Sequence, residues 1–367
     1  MNKNEVSVII PAYQPDEKLM DTLKGLVKAG FSDILVVNDG SGQEYTNIFE
    51  KVKSIKGCTI LEHPVNCGKG AALKTAFTYF LRNRPDKSCV VTADADGQHL
   101  VKDIEAVAIE ALESGRVILG VRDFSDTRVP ARSKVGNRIT SVVFKLFFGM
   151  KIEDTQTGLR AFPKEYLPEL LKAEGERYEY ETNMLFLINR RDIPYGQVKI
   201  ETVYIEENKS SHFRVVRDSL RIYTLILKYL FSSVAASVVD ELAFFVLKKA
   251  AVLTFLPIPL TFSAAFIARA ISSGMNYWMN ANVVFKDNKS KMTFVKYYVL
   301  VVAQIAVSAA LVFLVEAIAG ITSPAVSTII KAIIDTMLFF VSFRIQHKWV
   351  FNQNKTSRKE RMQWKES

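Results

Sequence analysis

From Val6 to Arg122, short β-branched runs alternate with stretches whose apolar positions recur at helical spacing. Val6–Ile10, Ile34–Asn38, Thr59–Glu62, Cys89–Ala93 and Val117–Val121 read as strands, being short apolar runs bounded by turn residues. Glu17–Ala29, closed by Gly30, reads as a helix, as do the segments around Tyr45–Lys53, Ala71–Arg84 and Val101–Glu113. This alternation predicts a doubly wound parallel sheet of the α/β class. Ligands bind such sheets beyond the carboxyl ends of the strands. The polar groups at those ends are Tyr13, Asn38-Asp39-Gly40, Asn66-Cys67-Gly68, Asp94-Ala95-Asp96 and Arg122. They are expected to converge on one crevice.

After Arg122 the pattern changes. Arg138–Met150 carries Val142, Val143, Phe144, Leu146, Phe147 and Phe148, an amphipathic segment suited to a membrane interface or to a buried core helix. Arg214, Arg217, Arg221 and Lys228 lie along Arg214–Tyr229 in the manner of a juxtamembrane helix. Four apolar spans follow, roughly Leu227–Leu247, Pro259–Val283, Phe294–Val315 and Ala325–Ile345, and predict an all-α four-helix transmembrane domain. The second and fourth spans end alike, in Asn280-Ala281-Asn282-Val283-Val284-Phe285 and Gln346-His347-Lys348-Trp349-Val350-Phe351. Duplicated two-helix halves would explain that likeness.

Charge sharpens the division. Residues 226–352 hold 16 charged side chains in 127 positions, against 70 in the other 240. The mean hydropathy of +0.10 conceals this split, which argues against a wholly soluble protein. The net charge of +10 points to anionic surfaces, and basic residues crowd into Lys286–Lys296 and the tail Lys348–Lys365, beside apolar spans. That placement favours a membrane surface over nucleic acid, for which no binding motif is visible. Four crossings with basic cytoplasmic flanks predict a multi-pass protein of the cell membrane with catalytic domain and C-terminus cytoplasmic, although Lys248 and Lys249 fall on the outer side. The N-terminal apolar run is too short for a signal peptide. Cys58, Cys67 and Cys89 have neither disulfide nor zinc spacing. The expected domains are 1–215, 216–352 and a basic tail, 353–367.

The chemistry is concentrated at the strand ends. Asp94-Ala95-Asp96-Gly97-Gln98 places two carboxylates on one bend, where they can hold a hard divalent ion against phosphate oxygens. Taken alone it is also an Asx-rich turn. Asn38-Asp39-Gly40-Ser41 offers a carboxylate to a base or a ribose, and is likewise a turn by itself. Pro11-Ala12-Tyr13 can wall a base-binding slot, and Gly68-Lys69-Gly70 opens a helix in a way that suits an anion. Neither a Gly-x-Gly-x-x-Gly nor a Walker lysine motif is present, which disfavours dinucleotide and P-loop chemistry.

With those motifs in order, and with Asp154-Thr155-Gln156-Thr157-Gly158-Leu159-Arg160 after them, residues 5–215 resemble glycosyltransferase family 2, in its polyprenyl-phosphate branch. The resemblance implies a GT-A (Rossmann-like) catalytic fold and a metal-dependent, inverting transfer from a nucleotide sugar to a polyprenyl phosphate. It implies that Pro11, Ala12, Tyr13 and Asp39, with Gly68 and Lys69, bind the donor. Asp94, Asp96 and Gln98 would hold Mg²⁺ or Mn²⁺ and the diphosphate. Arg122 and Arg132 would take the acceptor phosphate, with Asp154 and Glu179 (from Tyr178-Glu179-Tyr180-Glu181) also in the catalytic set. Val121 departs from the small residue expected before Arg122.

Residues 226–352 resemble the GtrA-like membrane family through Lys228-Tyr229-Leu230-Phe231, Asp240, Arg269, Asn276-Tyr277, Asn280, Val284-Phe285 and Trp349-Val350-Phe351. Asp240, Arg269, Asn276 and Asp335 are the candidates there, because polar groups are costly in lipid. Inter-helix pairing is the plainer role for them. The expected reaction moves glucose from UDP-glucose to undecaprenyl phosphate. Alternatives are mannosyl or N-acetylhexosaminyl transfer to the same lipid, or translocation or presentation of lipid-linked sugars; a homo-oligomer is an open alternative. A processive synthase is disfavoured, since Gln346-His347-Lys348-Trp349 has the wrong residue for its motif.

Overall fold

The computed structural model describes residues 3–124, 131–201, 215–250, 260–285, 291–320 and 324–351. Arg214, Pro259, Lys286 and the 353–367 tail lie outside the described residues, as do the side chains of Arg132, Arg217 and Arg221. The chain divides into two units, residues 1–219 and 220–367.

The first unit is built on a seven-stranded sheet: β1 (Val6–Ala12), β2 (Ile34–Asp39), β3 (Cys58–His63), β4 (Cys89–Thr92), β5 (Val117–Arg122), β6 (Arg160–Pro163) and β7 (Tyr195–Ile200). Its order is β3-β2-β1-β4-β6-β5-β7. The apolar runs of β1, β2, β4 and β5 are buried nearly throughout, as strands covered on both faces must be. Helices α1 (Lys18–Lys28), α2 (Thr46–Lys53), α3 (Lys69–Asn83) and α4 (Val101–Ser114) connect the early strands. Leu19, Leu23, Ile104 and Val107 pack with Val8, Ile10, Val36 and Val91 in one core cluster. At the opposite edge from the site, buried Asp33 accepts from Ser7 Oγ and from Arg84 Nε at 3.0 Å.

The sheet is mixed rather than wholly parallel. β6 runs antiparallel to both β4 and β5, with Thr92 opposite Arg160. That reversal starts β6 at the carboxyl edge, so the loop before it, Asp154–Gly158, lies among the strand ends that bind ligands.

Helix α5 (Ala131–Val143) continues into a π-helical turn, Phe144–Phe148. Phe144, Phe147 and Phe148 are buried, and Phe144 stacks at 5.0 Å on Phe186. After the short α6 (Leu167–Leu170), Phe186 belongs to α7 (Glu179–Arg190). Val135, Ile139, Val142 and Leu146 are exposed at helical spacing on the other side. Its aromatic face fills the core and its aliphatic face is left outside.

The second unit holds α8 (Val215–Ala250), α9 (Leu260–Met279), α10 (Lys291–Ala319) and α11 (Pro324–Ile345). Leu227–Leu247 and Lys291–Ala319 are long and apolar enough to cross a bilayer. Phe231, Phe245, Phe313 and Ile318 stand exposed at 62–77%, a surface that needs lipid or protein against it. The interior is polar where helices meet. Helices α9 and α11 each run into a π-helical turn, Asn280–Val284 and Gln346–Val350, and each is closed by the same bond: Phe285 N–H to Asn280 O and Phe351 N–H to Gln346 O, both 2.8 Å. Phe285 and Phe351 stack at 4.9 Å. The matching span ends thus fold alike.

Asn280, fully buried, donates to Gln346 Oε1 at 2.9 Å and Asn276 Oδ1 at 2.6 Å, and accepts from Ser232 at 2.8 Å. Asp240 accepts from Ser272 and pairs with Arg269 at 3.0 Å, while Asp335 accepts from Ser308 at 2.6 Å. Each membrane-domain candidate has a polar partner on another helix or its own continuation. Asn280→Leu should lower unfolding stability by about 2 kcal/mol, taking roughly 0.6 kcal/mol for each of its three bonds. Tryptophan-monitored melting in micelles checks this, and an unchanged midpoint would show that the cluster does not hold the bundle.

Candidate active site

β4 is buried along its length and ends in Thr92, so Asp94 and Asp96 emerge on the loop at its carboxyl end. Asp94 Oδ1 is 2.6 Å from Lys69 Nζ, and Asp94 Oδ2 is 3.2 Å from His99 Nε2. Lys69 Nζ also reaches Glu181 Oε1 at 3.0 Å. Burial alone would raise the Asp94 pKa, but Lys69 and His99 outweigh it and hold the carboxyl well below its usual range. Lys69 is partly buried, which disfavours its charge, yet Asp94 and Glu181 keep its ammonium firmly protonated.

This geometry depends on where α3 starts. Gly68, at φ +101°, turns the chain into the helix, and a Cβ there would lie 2.5 Å from Glu176 O. Ala71 N–H donates to that same carbonyl at 2.8 Å, fixing the start of α3 to the segment before α7. The helix begins at Lys69 rather than at Ala71, as the sequence suggested. Asp39 serves the same junction: its oxygens accept Cys67 N–H at 2.9 Å, Gly68 N–H at 2.8 Å and His63 Nδ1 at 2.7 Å. Asp39, His63 and Cys67 lie close enough to gather a metal ion. Both ring nitrogens of His63 are already engaged, by Asp39 and by Thr75 at 2.9 Å, so we read the group as a hydrogen-bonded brace.

Gly158 bounds the other side of Asp94. A Cβ on it would stand 2.4 Å from Asp94 Oδ2, so a side chain there would push the Asp94 carboxylate from its place. Below them Arg160 is almost wholly buried, with Nε donating to Thr157 O at 2.9 Å and its terminal nitrogens to Glu181 O at 2.6 Å and Thr155 O at 3.3 Å. Burial lowers its pKa, opposed by the charges of Glu181, Asp154 and Asp94. It is the residue that sequence reasoning passed over; its place at the end of Asp154–Arg160, just before a strand, was the available signal.

Arg122, the last residue of β5, grips Asp154 with both arms of its fork, Nε to Oδ2 at 2.6 Å and Nη2 to Oδ1 at 3.0 Å. Asp154 is fully buried and also accepts Gln156 N–H at 3.0 Å. Asn137 of α5 ties down the same loop, donating to Glu153 O and accepting Thr155 N–H at 3.0 Å. Val121 stays buried on β5. The sequence named Glu179, but the structure brings Glu181 to Lys69 instead; Glu179 Oε1 accepts Glu176 N–H at 3.3 Å. Two residues apart on a helix point to different sides, so Glu179 does not share the contact with Lys69. At the end of β1, Ala12 is buried and Tyr13 exposed, while Gln14 N–H donates to Ser41 Oγ at 2.9 Å and links the loops after β1 and β2.

Asp96 accepts Gln98 N–H at 3.0 Å. Burial and the neighbouring Asp94 charge push its pKa up, against that bond and the more distant charges of His99 and Lys69. Two carboxylates on one bend with Gln98 two residues on form a hard-oxygen set that fits Mg²⁺ or Mn²⁺.

Residues 7–171 match glycosyltransferase family 2, and residues 228–351 match the GtrA/DPMS transmembrane domain. The chain is 30% identical to an uncharacterized protein of Methanocaldococcus jannaschii, over 63% of this chain and 95% of that one. It is 28% identical to the UDP-N-acetylglucosamine–dolichyl-phosphate N-acetylglucosaminyltransferase of Methanococcus voltae, over 55% of this chain and 86% of that one. Against the dolichyl-phosphate β-glucosyltransferase of Dictyostelium discoideum it is 28% identical, over 60% and 76% of the two chains. The chain belongs to glycosyltransferase family 2 and is a membrane glycosyltransferase with a GT-A catalytic domain.

Arg160→Met should cost about 3–5 kcal/mol, because it strands buried carbonyls and removes a buried positive charge that Glu181, Asp154 and Asp94 all act on. Arg160→Lys should recover little of that, since an ammonium cannot match the fork. Urea unfolding followed by circular dichroism reads both, and a loss below about 1 kcal/mol would remove Arg160 from the support of the site.

Proposed function

We propose that this protein transfers glucose from UDP-glucose to undecaprenyl phosphate with inversion at the sugar. The observation that carries the reading is the Asp94–Asp96 bend at the carboxyl edge of the sheet, in one chain with a transmembrane domain. The relatives named for transfer to dolichyl phosphate support a polyprenyl phosphate acceptor. The exposed stripe of Val135, Ile139, Val142 and Leu146 supports contact of the catalytic domain, residues 1–215, with a bilayer. In this reading residues 216–352 anchor the enzyme, with the catalytic domain and the 353–367 tail on the cytoplasmic side.

Asp94, Asp96 and Gln98 would hold Mg²⁺ or Mn²⁺, which when bound offsets the charge that develops on the leaving diphosphate. Pro11, Ala12 and Tyr13 border the nucleoside, and Asp39 holds the Cys67–Gly68 backbone beside it. Arg122, set in its plane by Asp154, and Arg132 receive the acceptor phosphate. That phosphate is anionic near neutral pH, so alignment matters more than proton removal.

Membranes containing the full chain, given labelled nucleotide sugars and undecaprenyl phosphate, should label the lipid from UDP-glucose. Label from GDP-mannose or UDP-N-acetylglucosamine instead would correct the sugar, and no labelled lipid from any donor would sink the reading. Asp96→Asn should lower turnover about a hundredfold or more while the protein still folds and inserts. Near-normal turnover at saturating Mg²⁺ or Mn²⁺ would take Asp96 out of the site.

A further inference from the structure

Lys69 is held in an unusual way for a residue at the start of a glycine-flanked helix. Its ammonium does not project toward an approaching anion; it bridges Asp94 at 2.6 Å and Glu181 at 3.0 Å and lies 5.9 Å over the Tyr178 ring. Asp94 is also the carboxylate assigned above to the divalent ion. An ammonium hydrogen-bonded to one oxygen and a doubly charged ion bound to the same carboxylate repel each other strongly at such separations.

We propose that Lys69 is an internal counter-ion that competes with the divalent metal for Asp94, with Glu181 as the anchor to which it withdraws. The proposal rests on the metal-dependent reading of Asp94 and Asp96. Three features of the molecule fit it. Glu181 lies in the first turn of α7, where the helix dipole favours a carboxylate, and it stands within reach of Lys69 as a second partner. Lys69 reaches both carboxylates through a flexible stem, so exchange between them needs no backbone movement. Gly68 and Gly70 are held against residues 176–180 by contacts that any Cβ would break, which keeps the stem at a fixed origin. A consequence is cooperative loading: the metal alone must displace Lys69 from Asp94, whereas a nucleoside diphosphate arriving with it adds negative charge that accommodates both cations.

The test is Mn²⁺ binding to the full chain in micelles, followed by electron paramagnetic resonance, with and without UDP. Lys69→Gln keeps hydrogen bonding to both carboxylates but removes the competing charge. It should bind Mn²⁺ alone about tenfold or more tightly than the wild type, and its gain in affinity on adding UDP should shrink. The double variant Lys69→Gln/Glu181→Gln has the wild-type net charge and replaces a buried ion pair with amides, so it is the better folder of the two. It should also bind Mn²⁺ alone more tightly than the wild type. If the double variant matches the wild type, the effect is net charge only and the competition is overturned. If Lys69→Gln, folded by circular dichroism, binds Mn²⁺ no better than the wild type, Lys69 is a structural brace. If the wild type binds no Mn²⁺ even with UDP, the metal reading itself falls and takes this proposal with it.

Discussion

The catalytic unit is organised around a concentration of negative charge in a poorly hydrated place. Asp94, Asp96, Asp154 and Glu181 are gathered at the carboxyl edge of one sheet, and two of them, Asp154 and Glu181, are buried. Carboxylates so placed destabilise the fold unless cations lie within hydrogen-bonding reach. Lys69, Arg122 and Arg160 meet that demand, each at a defined carboxylate or carbonyl, and His99 Nε2 lies 3.2 Å from Asp94. Much of the local architecture follows. Helix α3 has to begin at Lys69, which requires the positive φ of Gly68. The antiparallel β6 has to begin at Arg160, which brings its guanidinium beneath the loops. Gly158 has to lack a side chain so that Asp94 can sit where the cations converge. Asp96, whose pKa is pushed up by burial and by the Asp94 charge, accepts Gln98 N–H at the same edge.

The sequence made the five early strands and their connecting helices legible because each is a short apolar run or a helical stripe with a clear stop, such as Gly30 after α1. It also brought the right strand ends together. What it could not carry was β6: Arg160-Ala161-Phe162-Pro163 is too short to show a period, and an arginine at its head reads as surface until the structure buries it. The choice between Glu179 and Glu181 was equally invisible, since it turns on the rotation of α7 and not on composition. Asp39 was read as a ligand for the nucleoside, and the structure adds a second duty, three hydrogen bonds to the loop that starts α3. Such pairings come from tertiary contact between segments far apart in the chain, which local pattern does not encode.

The membrane half applies the opposite logic. Among its described residues many large apolar side chains are exposed, while Ser232, Asn276, Asn280 and Gln346 are turned inward onto one another. With little hydrophobic gain from helix contact in lipid, small polar clusters and close packing must supply the cohesion. Asn280 and Gln346, at matching points of two π-helical turns, bond directly to each other. The likeness between the two span ends, short in sequence, therefore has a physical counterpart at the point where two helix pairs meet.

The state of Asp154 bears on the kind of acceptor the site can use. A sugar transferase acting on a neutral hydroxyl needs a carboxylate or imidazole able to take up a proton. Asp154 is fully buried, gripped on both oxygens by Arg122 and further bonded to Gln156 N–H, so its oxygens are taken up inside the protein and not offered to a substrate hydroxyl. The same contacts make it a good positioner, because they fix the plane of a guanidinium at the end of β5. An acceptor that arrives as an oxyanion asks for what this arrangement provides, a held cation, and not for a base. A lipid phosphate is such an acceptor, and a chain that carries its own transmembrane domain meets that acceptor at the surface where it resides.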